Sequence, residues 1–449
     1  MTPPVEPADI LVLPSTLPRI QLRERQCYLD FLDQLPVRRL RRISQLGLAS
    51  CVLPNRGYSR LAHLNQSFDI LWSLLYDQVS LPQPERRHVM VAAILQETGH
   101  APFSNSLNAI FPPLVELPSR LPPDLSRAVA IARYLQENTD IFDRWALDVQ
   151  SIEMLIQGET PWRRFGFIGK LLNSVLDVDR FAYLGADTRV LGLPSDVDVC
   201  FEKALRWPDD ASAPVVESYR ASAVTDTLVV RWHLYEQLYF HPLKLACEYF
   251  VTRFLLAYWG ECKQMPGSGK HQNTPETVSD FLWWDDERLR ALMESPLEPQ
   301  VFAEAAGLQR VLRSSTISVA EVHVPDTVAE VHVPNMMGED HHAREERLLK
   351  CRAPLLEIPG VWIIDRKDLP SFRIHEPDSI LARDRTGYVS LERLDSRLLD
   401  PRMTGSITRR AIIMYEDSAY GPVQDVLKSC DLVLGGQVYR PDPIYSRAL

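Results

Sequence analysis

The sequence predicts a mainly α protein that ends in a small α/β subdomain. Three observations predict it. Residues 22–260 repeat apolar side chains every three or four positions. Short loops rich in Pro, Gly, Asn and Asp separate these stretches, and strand-like segments gather only beyond about residue 350. "SFDILWSLLYDQV", "RHVMVAAILQ", "SRAVAIARYLQ", "WALDVQSIEMLIQ" and "IGKLLNSVLDVDRFAYL" each predict a helix with one apolar face. "TLVVRWHLYEQLYFHPLKLACEYFVTRFLLAYW" predicts one long helix, kinked or broken at Pro242, whose ring removes a backbone donor. "TVSDFLWWDDERLRALMES" starts another. After residue 350, "GVWIIDR", "GYVSL" and "AIIMYED" read as strands and "GPVQDVLKSC" as a helix.

Four segments follow: a tail over 1–21, a helical domain over 22–300, a linker or insertion over 301–345, and the α/β subdomain over 346–449. The linker holds a duplicated nonapeptide, "VAEVHVPDT" then "VAEVHVPNM". Two copies are too few for a solenoid, so a surface loop is expected, with a short exposed hairpin as the other option. His341 and His342 add a metal suggestion there that a solvated loop outweighs. In "MPGSGKHQNTP", the "GSGK" lacks the earlier glycine and the following Ser or Thr of a phosphate-binding loop.

The chain has 449 residues, 45% of them hydrophobic, ample for a large core. Its net charge of −10 advertises no global nucleic-acid field, and "RRLRR" at 38–42 is a local exception. No apolar run reaches the roughly 18–20 residues of a membrane span. The N-terminus lacks the basic start and apolar core of a signal peptide. Seven scattered cysteines without a CxxC pair argue against a disulfide framework or structural zinc. A cytoplasmic location is expected.

Helix spacing brings some polar residues together. Arg60 and His63 are three apart and share a face; Asp179, Tyr183 and Asp187 are spaced four and four. Leu172 and Val175 precede Asp179 on roughly its face, so its carboxylate looks inward. An inward Asp near an inward His is paired or metal-bound, because a lone buried charge is too costly. On these residues alone, a structural network accounts for them at least as well as a site.

"GHAPFSN" tips that balance. The chain resembles the HD-domain phosphohydrolase superfamily, in particular the group of bacterial dGTPases and the vertebrate SAM-and-HD-domain deoxynucleotide triphosphohydrolase. "DQLPVRRLRRISQLGLASCVLP" resembles that group's opening stretch, "YSRLAHLNQSFDIL" its H-x-R-F-x-H-S-L-G, and "ILQETGHAPFSN" its L-x-H-D-I-G-H-G-P-F-S-H. "LDVDRFAYLGADTRVLGLP", "LYEQLYFHPLKLACEYF" and "DSILARDRTGYVSLERLDSRLL" follow in the family's order. The resemblance implies a helical HD-type core, a homo-oligomer, and a divalent metal (Mn, Fe, Co, Ni, Zn or Mg).

The resemblance also implies roles, position by position. His63 and Asp179 match the first and last metal ligands. The central His-Asp pair has become Gln96 and Glu97; a neutral amide is a much weaker donor, and the extra methylene of Glu97 displaces its oxygen. A weakened His63, Glu97 and Asp179 set, or no metal at all, is therefore expected. Among proton-transfer groups, His100 is kept, while Asn105, Asn108 and Leu147 stand where the family has His, Asp and His; Asp148 holds the acidic place beside Leu147. Neither Asn nor Leu shuttles protons near neutral pH. The binding positions survive better. Arg60 and Arg180 match phosphate contacts, Gln45 and Leu46 positions near the base, and Tyr183, Asp187 and Tyr239 the sugar and base pocket. Ala186 replaces a family Arg. Asp33 and Arg41 match positions that hold an allosteric nucleotide in the vertebrate relative, and Arg38 departs from that pattern. The function this implies is a nucleotide- or phosphate-ligand-binding, regulatory homologue with little or no hydrolysis. The alternative is an active metal-dependent (deoxy)nucleotide phosphohydrolase on a variant His/Glu/Asp site.

Overall fold

The computed structural model describes residues 14–15, 21–53, 57–77, 79, 81–118, 121–162, 164–174, 177–192, 205–206, 215–217, 220–263, 274–297, 302–313, 317–323, 347, 350–359, 361–366, 381–384, 387–390, 410–430 and 432–439. The glycine-rich loop over 264–273, the second nonapeptide, and His341 with His342 lie outside the described residues.

Among those residues the chain is mainly helical, as its periodicity predicts. Among the described residues, nine α-helices precede residue 200: α1 (Leu22–Leu32), α2 (Leu35–Arg39), α3 (Arg60–Asp77), α4 (Gln83–Thr98), α5 (Pro123–Asn138), α6 (Ile141–Arg144), α7 (Val149–Ile156), α8 (Ile168–Leu172) and α9 (Val178–Leu191). Their ends follow local chemistry. Prolines open α4 and α5, where a missing N–H costs nothing. Asp177 caps α9 by accepting from the Arg180 N–H at 2.8 Å. Gly192, at φ 72°, ends that helix in the left-handed conformation glycine tolerates. α3 packs on α4 and α9, and α4 packs on α5 and α7. A core including Phe68, Leu71, Val91, Leu95, Phe103, Ile131 and Phe181 fills the space between.

The predicted long helix is α10 (Ala221–Leu234) and α11 (Pro242–Lys263), divided before Pro242 by a π turn, Tyr235–Tyr239. Such wide turns re-aim side chains and recur at functional sites; here Tyr239 reaches Asp187 on α9. Next come α12 (Val278–Leu282), α13 (Asp286–Glu294) and α14 (Ala303–Arg313).

A four-stranded antiparallel sheet packs against α11, where Trp362 meets Phe250 edge-on. Its order is Val361–Arg366, Arg410–Glu416, Ile317–His323, Val433–Tyr439. The third of these corrects the surface-loop expectation for the start of the duplicated segment. Ile317–His323 pairs on both sides, with Val319 and Ala320 fully buried, because its alternating small and apolar residues suit a covered strand. A second small sheet joins distant parts of the chain: Val215–Glu217 runs parallel to Leu381–Asp384, which pairs in turn with Gly387–Ser390.

Candidate functional site

Three helices deliver the central cluster. His63 sits in the first turn of α3, Glu97 near the end of α4, and Asp179 in the first turn of α9. His63 Nε2 lies 2.5 Å from Asp179 Oδ1 and 4.0 Å from Glu97 Oε2. One donor atom from each of the three falls within 4.8 Å of the others. Arg60, on the same face of α3 as His63, donates from Nη1 to Glu97 Oε2 at 2.7 Å and from Nε to Ser104 Oγ at 2.9 Å. Its Nη2 has no hydrogen-bond partner among the described residues.

Burial and charge oppose each other here. Burial works against the His63 imidazolium, but the Asp179 carboxylate outweighs it and raises the ring above its ordinary value. Burial likewise raises Asp179, yet His63 and Arg60 hold its carboxyl well below the usual range. Burial pushes the Glu97 carboxyl up, and Arg60 pulls the other way.

Do these residues fit a divalent ion? An imidazole and two carboxylates are suitable donors. Around an ion with bonds of about 2.1 Å, adjacent donors stand about 3.0 Å apart in an octahedron and about 3.4 Å in a tetrahedron, so the 2.5 Å His63–Asp179 contact must open. Gln96 donates from Nε2 to the Leu172 carbonyl at 3.2 Å, and its buried Oε1 has no partner among the described residues. The site fits a metal in donor type and proximity, on three ligands, one of them already paired with Arg60.

His100 follows Gly99, the residue that ends α4, and its Nε2 lies 3.9 Å from Glu97 Oε2. Burial, with Arg60 close by, depresses its basicity well below the ordinary histidine value. Its Nδ1 meets Asn108 Nδ2 at 2.9 Å, and the same nitrogen reaches Asn105 Oδ1 at 3.0 Å. Asp148 is placed differently. Its exposed carboxylate caps α7 through the Ser151 N–H and hydroxyl, and none of its hydrogen bonds is to the cluster.

A second group lies along α9. Asp187 accepts from Tyr58 Oη at 2.7 Å and from the Tyr239 hydroxyl. Tyr183 packs edge-on against Tyr239, with centroids 6.4 Å apart. Gln45 is buried, with its Oε1 unpartnered among the described residues, and Leu46 packs with Leu238 and Tyr239. Arg180 Nη1 is 3.6 Å from Asp177 Oδ2. Asp33, Arg38 and Arg41 are exposed; Arg38 and Asp33 stand 3.9 Å apart.

Several supporting residues gave no sequence signal. Arg39, inside the basic run, is buried and donates to the carbonyls of Trp284 and His100 at 2.6 and 2.9 Å. Asp286 accepts the Phe103 and Ser44 N–H groups at 2.6 and 2.8 Å, tying together two loops that flank Arg60. Phe103 and Ser104 both hold positive φ, 54° and 53°, a strained conformation that this clamp helps to maintain.

Burial pushes the Asp286 carboxyl up to about 6, against the pull of those two N–H bonds. The folded state therefore keeps a proton that the unfolded chain releases, and this group's contribution to stability falls as pH rises toward that value. In urea titrations, the stability of the wild type relative to Asp286→Asn is expected to increase between about pH 7 and about pH 4. A pH-independent difference would contradict the assignment.

Among known proteins, the chain is 25% identical over 239 residues to the deoxynucleoside triphosphate triphosphohydrolase SAMHD1 homolog of Dictyostelium discoideum, covering 50% of this chain and 45% of that one. It is 27% identical over 235 residues to the uncharacterized protein YwfO of Bacillus subtilis, covering 50% and 51%. The chain thus spans about half the length of the curated relatives it matches. No family model matches it. The fold resembles a crystal structure of a phosphohydrolase from Bacteroides thetaiotaomicron, with a TM-score of 0.61 and 19% identity over 86% of this chain and 95% of that one. A hypothetical protein from Aquifex aeolicus has the same TM-score, 17% identity, and coverage of 89% and 95%. No described helix is long and apolar enough to cross a membrane. The sequence relatives and the fold neighbours agree with the ordered motifs: the chain is similar to HD-domain phosphohydrolases in sequence over about half its length and in fold over most of it.

Proposed function

We propose that this protein binds a nucleotide or another phosphorylated small molecule at the cluster where α3, α4 and α9 meet and hydrolyses it slowly or not at all. The observation that carries this reading is the buried Arg60–Glu97 pair at 2.7 Å. The carboxylate standing in a family ligand position is already neutralised by the protein's own cation. Asn105, Asn108 and Leu147 supply no proton transfer near neutral pH. Phosphate recognition fares better: Arg60 Nη2 is available, and guanidinium is well matched to phosphate oxygens. Tyr183, Asp187 and Tyr239 offer a polar aromatic wall for sugar and base. The dNTP hydrolase relative supports a nucleotide as the ligand. The family resemblance supports a homo-oligomer, which solution size measurement with and without nucleotide tests.

Elemental analysis of purified protein, compared with the Gln96→His, Glu97→Asp double variant, tests the reading. Metal is expected to be substoichiometric in the wild type and near one per chain in the double variant. Brisk metal-dependent phosphate release from a nucleotide panel by the wild type would overturn it.

The second reading, an active hydrolase, is favoured by the convergence of His63, Glu97 and Asp179. Those three would hold the metal, which supplies Lewis-acid polarisation of a phosphoryl oxygen when bound. This reading predicts that His63→Ala and Asp179→Ala each abolish bound metal and activity together. A protein that never takes up metal on reloading would rule it out.

A further inference from the structure

We infer that Asn108, oriented by Arg127, holds His100 as the neutral tautomer with its proton on Nε2, so that the ring presents a hydrogen-bond donor, not a base, to a ligand oxyanion. The donor role rests on the proposed phosphate-ligand reading; the tautomer does not.

Groups that can only donate fix the orientation of Asn108. Arg127 is fully buried on α5. It donates from Nε to the Gly99 carbonyl at 2.7 Å, from Nη1 to the Phe111 carbonyl at 2.7 Å, and from Nη2 to Asn108 Oδ1 at 3.0 Å. A guanidinium has no acceptor, so the Asn108 atom facing it must be oxygen. The Ala101 N–H meets the same atom at 2.9 Å and sets the same condition. The amide orientation, often ambiguous from atom positions alone, is thus fixed twice by chemistry. Asn108 Nδ2 then faces His100 Nδ1 at 2.9 Å and Asn105 Oδ1 at 3.0 Å. An amide nitrogen only donates, so His100 Nδ1 must accept and carries no proton. In the neutral ring the proton then resides on Nε2.

That Nε2–H faces the cluster, 3.9 Å from Glu97 Oε2. Burial beside Arg60 and Arg127 independently disfavours the imidazolium. A neutral Nε2–H has no lone pair at the pocket with which to take a proton from an attacking water. It can donate to an anionic oxygen, as Arg60 Nη2 can. Asn108 and Arg127 are positioning residues: they act through His100. A carboxylate at position 108 would reverse the arrangement, since it accepts from Arg127, from Ala101 N–H and from a protonated Nδ1 together.

Long-range proton–nitrogen NMR on 15N-histidine-labelled full-length protein reads the tautomer directly, with the His100 signals assigned by their loss in His100→Gln. The expected result is a protonated Nε2 and an unprotonated Nδ1 in the wild type, changing to a protonated Nδ1 in Asn108→Asp. A protonated Nδ1 in the wild type overturns the inference, as does an unchanged tautomer in a folded Asn108→Asp. Should that variant fail to fold, the wild-type spectrum alone decides. Adding inorganic phosphate is expected to shift the wild-type Nε2–H signal. A protonated Nε2 that phosphate leaves untouched sinks the donor role and the ligand-binding reading, while the tautomer assignment stands.

Discussion

Alanine at position 99 is expected to cost about 3 kcal/mol or more of stability and to abolish ligand binding, because the space for its methyl group is already filled. A Cβ there would lie 2.0 Å from the Asp124 carbonyl oxygen and 2.8 Å from the Ala128 nitrogen, both backbone atoms of α5. No side-chain rotation relieves such a contact; the end of α4 must move away from α5. Gly99 has an ordinary helical φ of −77°, so the demand is for closeness, not for unusual backbone freedom. The displacement propagates at once, since Glu97 precedes Gly99 by two residues, His100 follows it, and its carbonyl accepts from Arg127. Gly260→Ala is the matched control. Gly260 lies inside α11, with no atom of the described residues within 4 Å of its Cβ direction, so alanine there is expected to be neutral or stabilising by up to about 1 kcal/mol. Urea midpoints of the two variants settle the contrast: equal midpoints would mean that α4 and α5 are not held so close.

How much of this was legible beforehand depended on how far each interaction reaches along the chain. The helices of the core were, because burial on one face imposes a three-to-four residue rhythm that survives in the sequence. The break at Pro242 was too, since one residue type causes it. The inward reading of Asp179 rests on a helix face shared with Leu172, but α8 ends at Leu172 and α9 begins only at Val178; Asp179 meets His63 without that shared face. The partnership of Glu97 could not be read from the sequence. Whether its longer side chain reaches a metal position or Arg60 depends on about one methylene of length and on α3 lying beside α4, neither of which local patterning encodes. Arg39 was hidden for another reason: four arginines in a row of five look alike until the core closes over one of them. Asp286 lies 183 residues from Phe103, and Tyr58 lies 129 from Asp187, so no spacing rule connects them. Ile317–His323 was obscured by the repeat it begins, whose duplication suggested an insertion where a central strand stands.

Removing Arg60 tests whether the cluster is held by the protein's own charges. Arg60→Ala is expected to cost about 3–5 kcal/mol, because it strands the buried Glu97 carboxylate without its counter-ion. That penalty belongs to the ionised form of Glu97. Burial already raises its carboxyl, and losing Arg60 raises it further, so the variant's deficit should grow as pH rises through that elevated value and shrink in acid. Changing both partners follows a different course. Arg60→Ala with Glu97→Gln strands neither member of this pair and leaves Asp179 with His63, so most of the lost stability should return, since replacing both members of a buried pair is far cheaper than removing one. Phosphate affinity, by contrast, should be absent in both variants, because the Nη2 donor is missing from both. Recovery of stability without recovery of binding would separate the two roles of Arg60, counter-ion to Glu97 and grip on the ligand. If the double variant were as unstable as the single one, the pair would not be the source of the cost, and packing of the arginine stem against its neighbours would have to carry it.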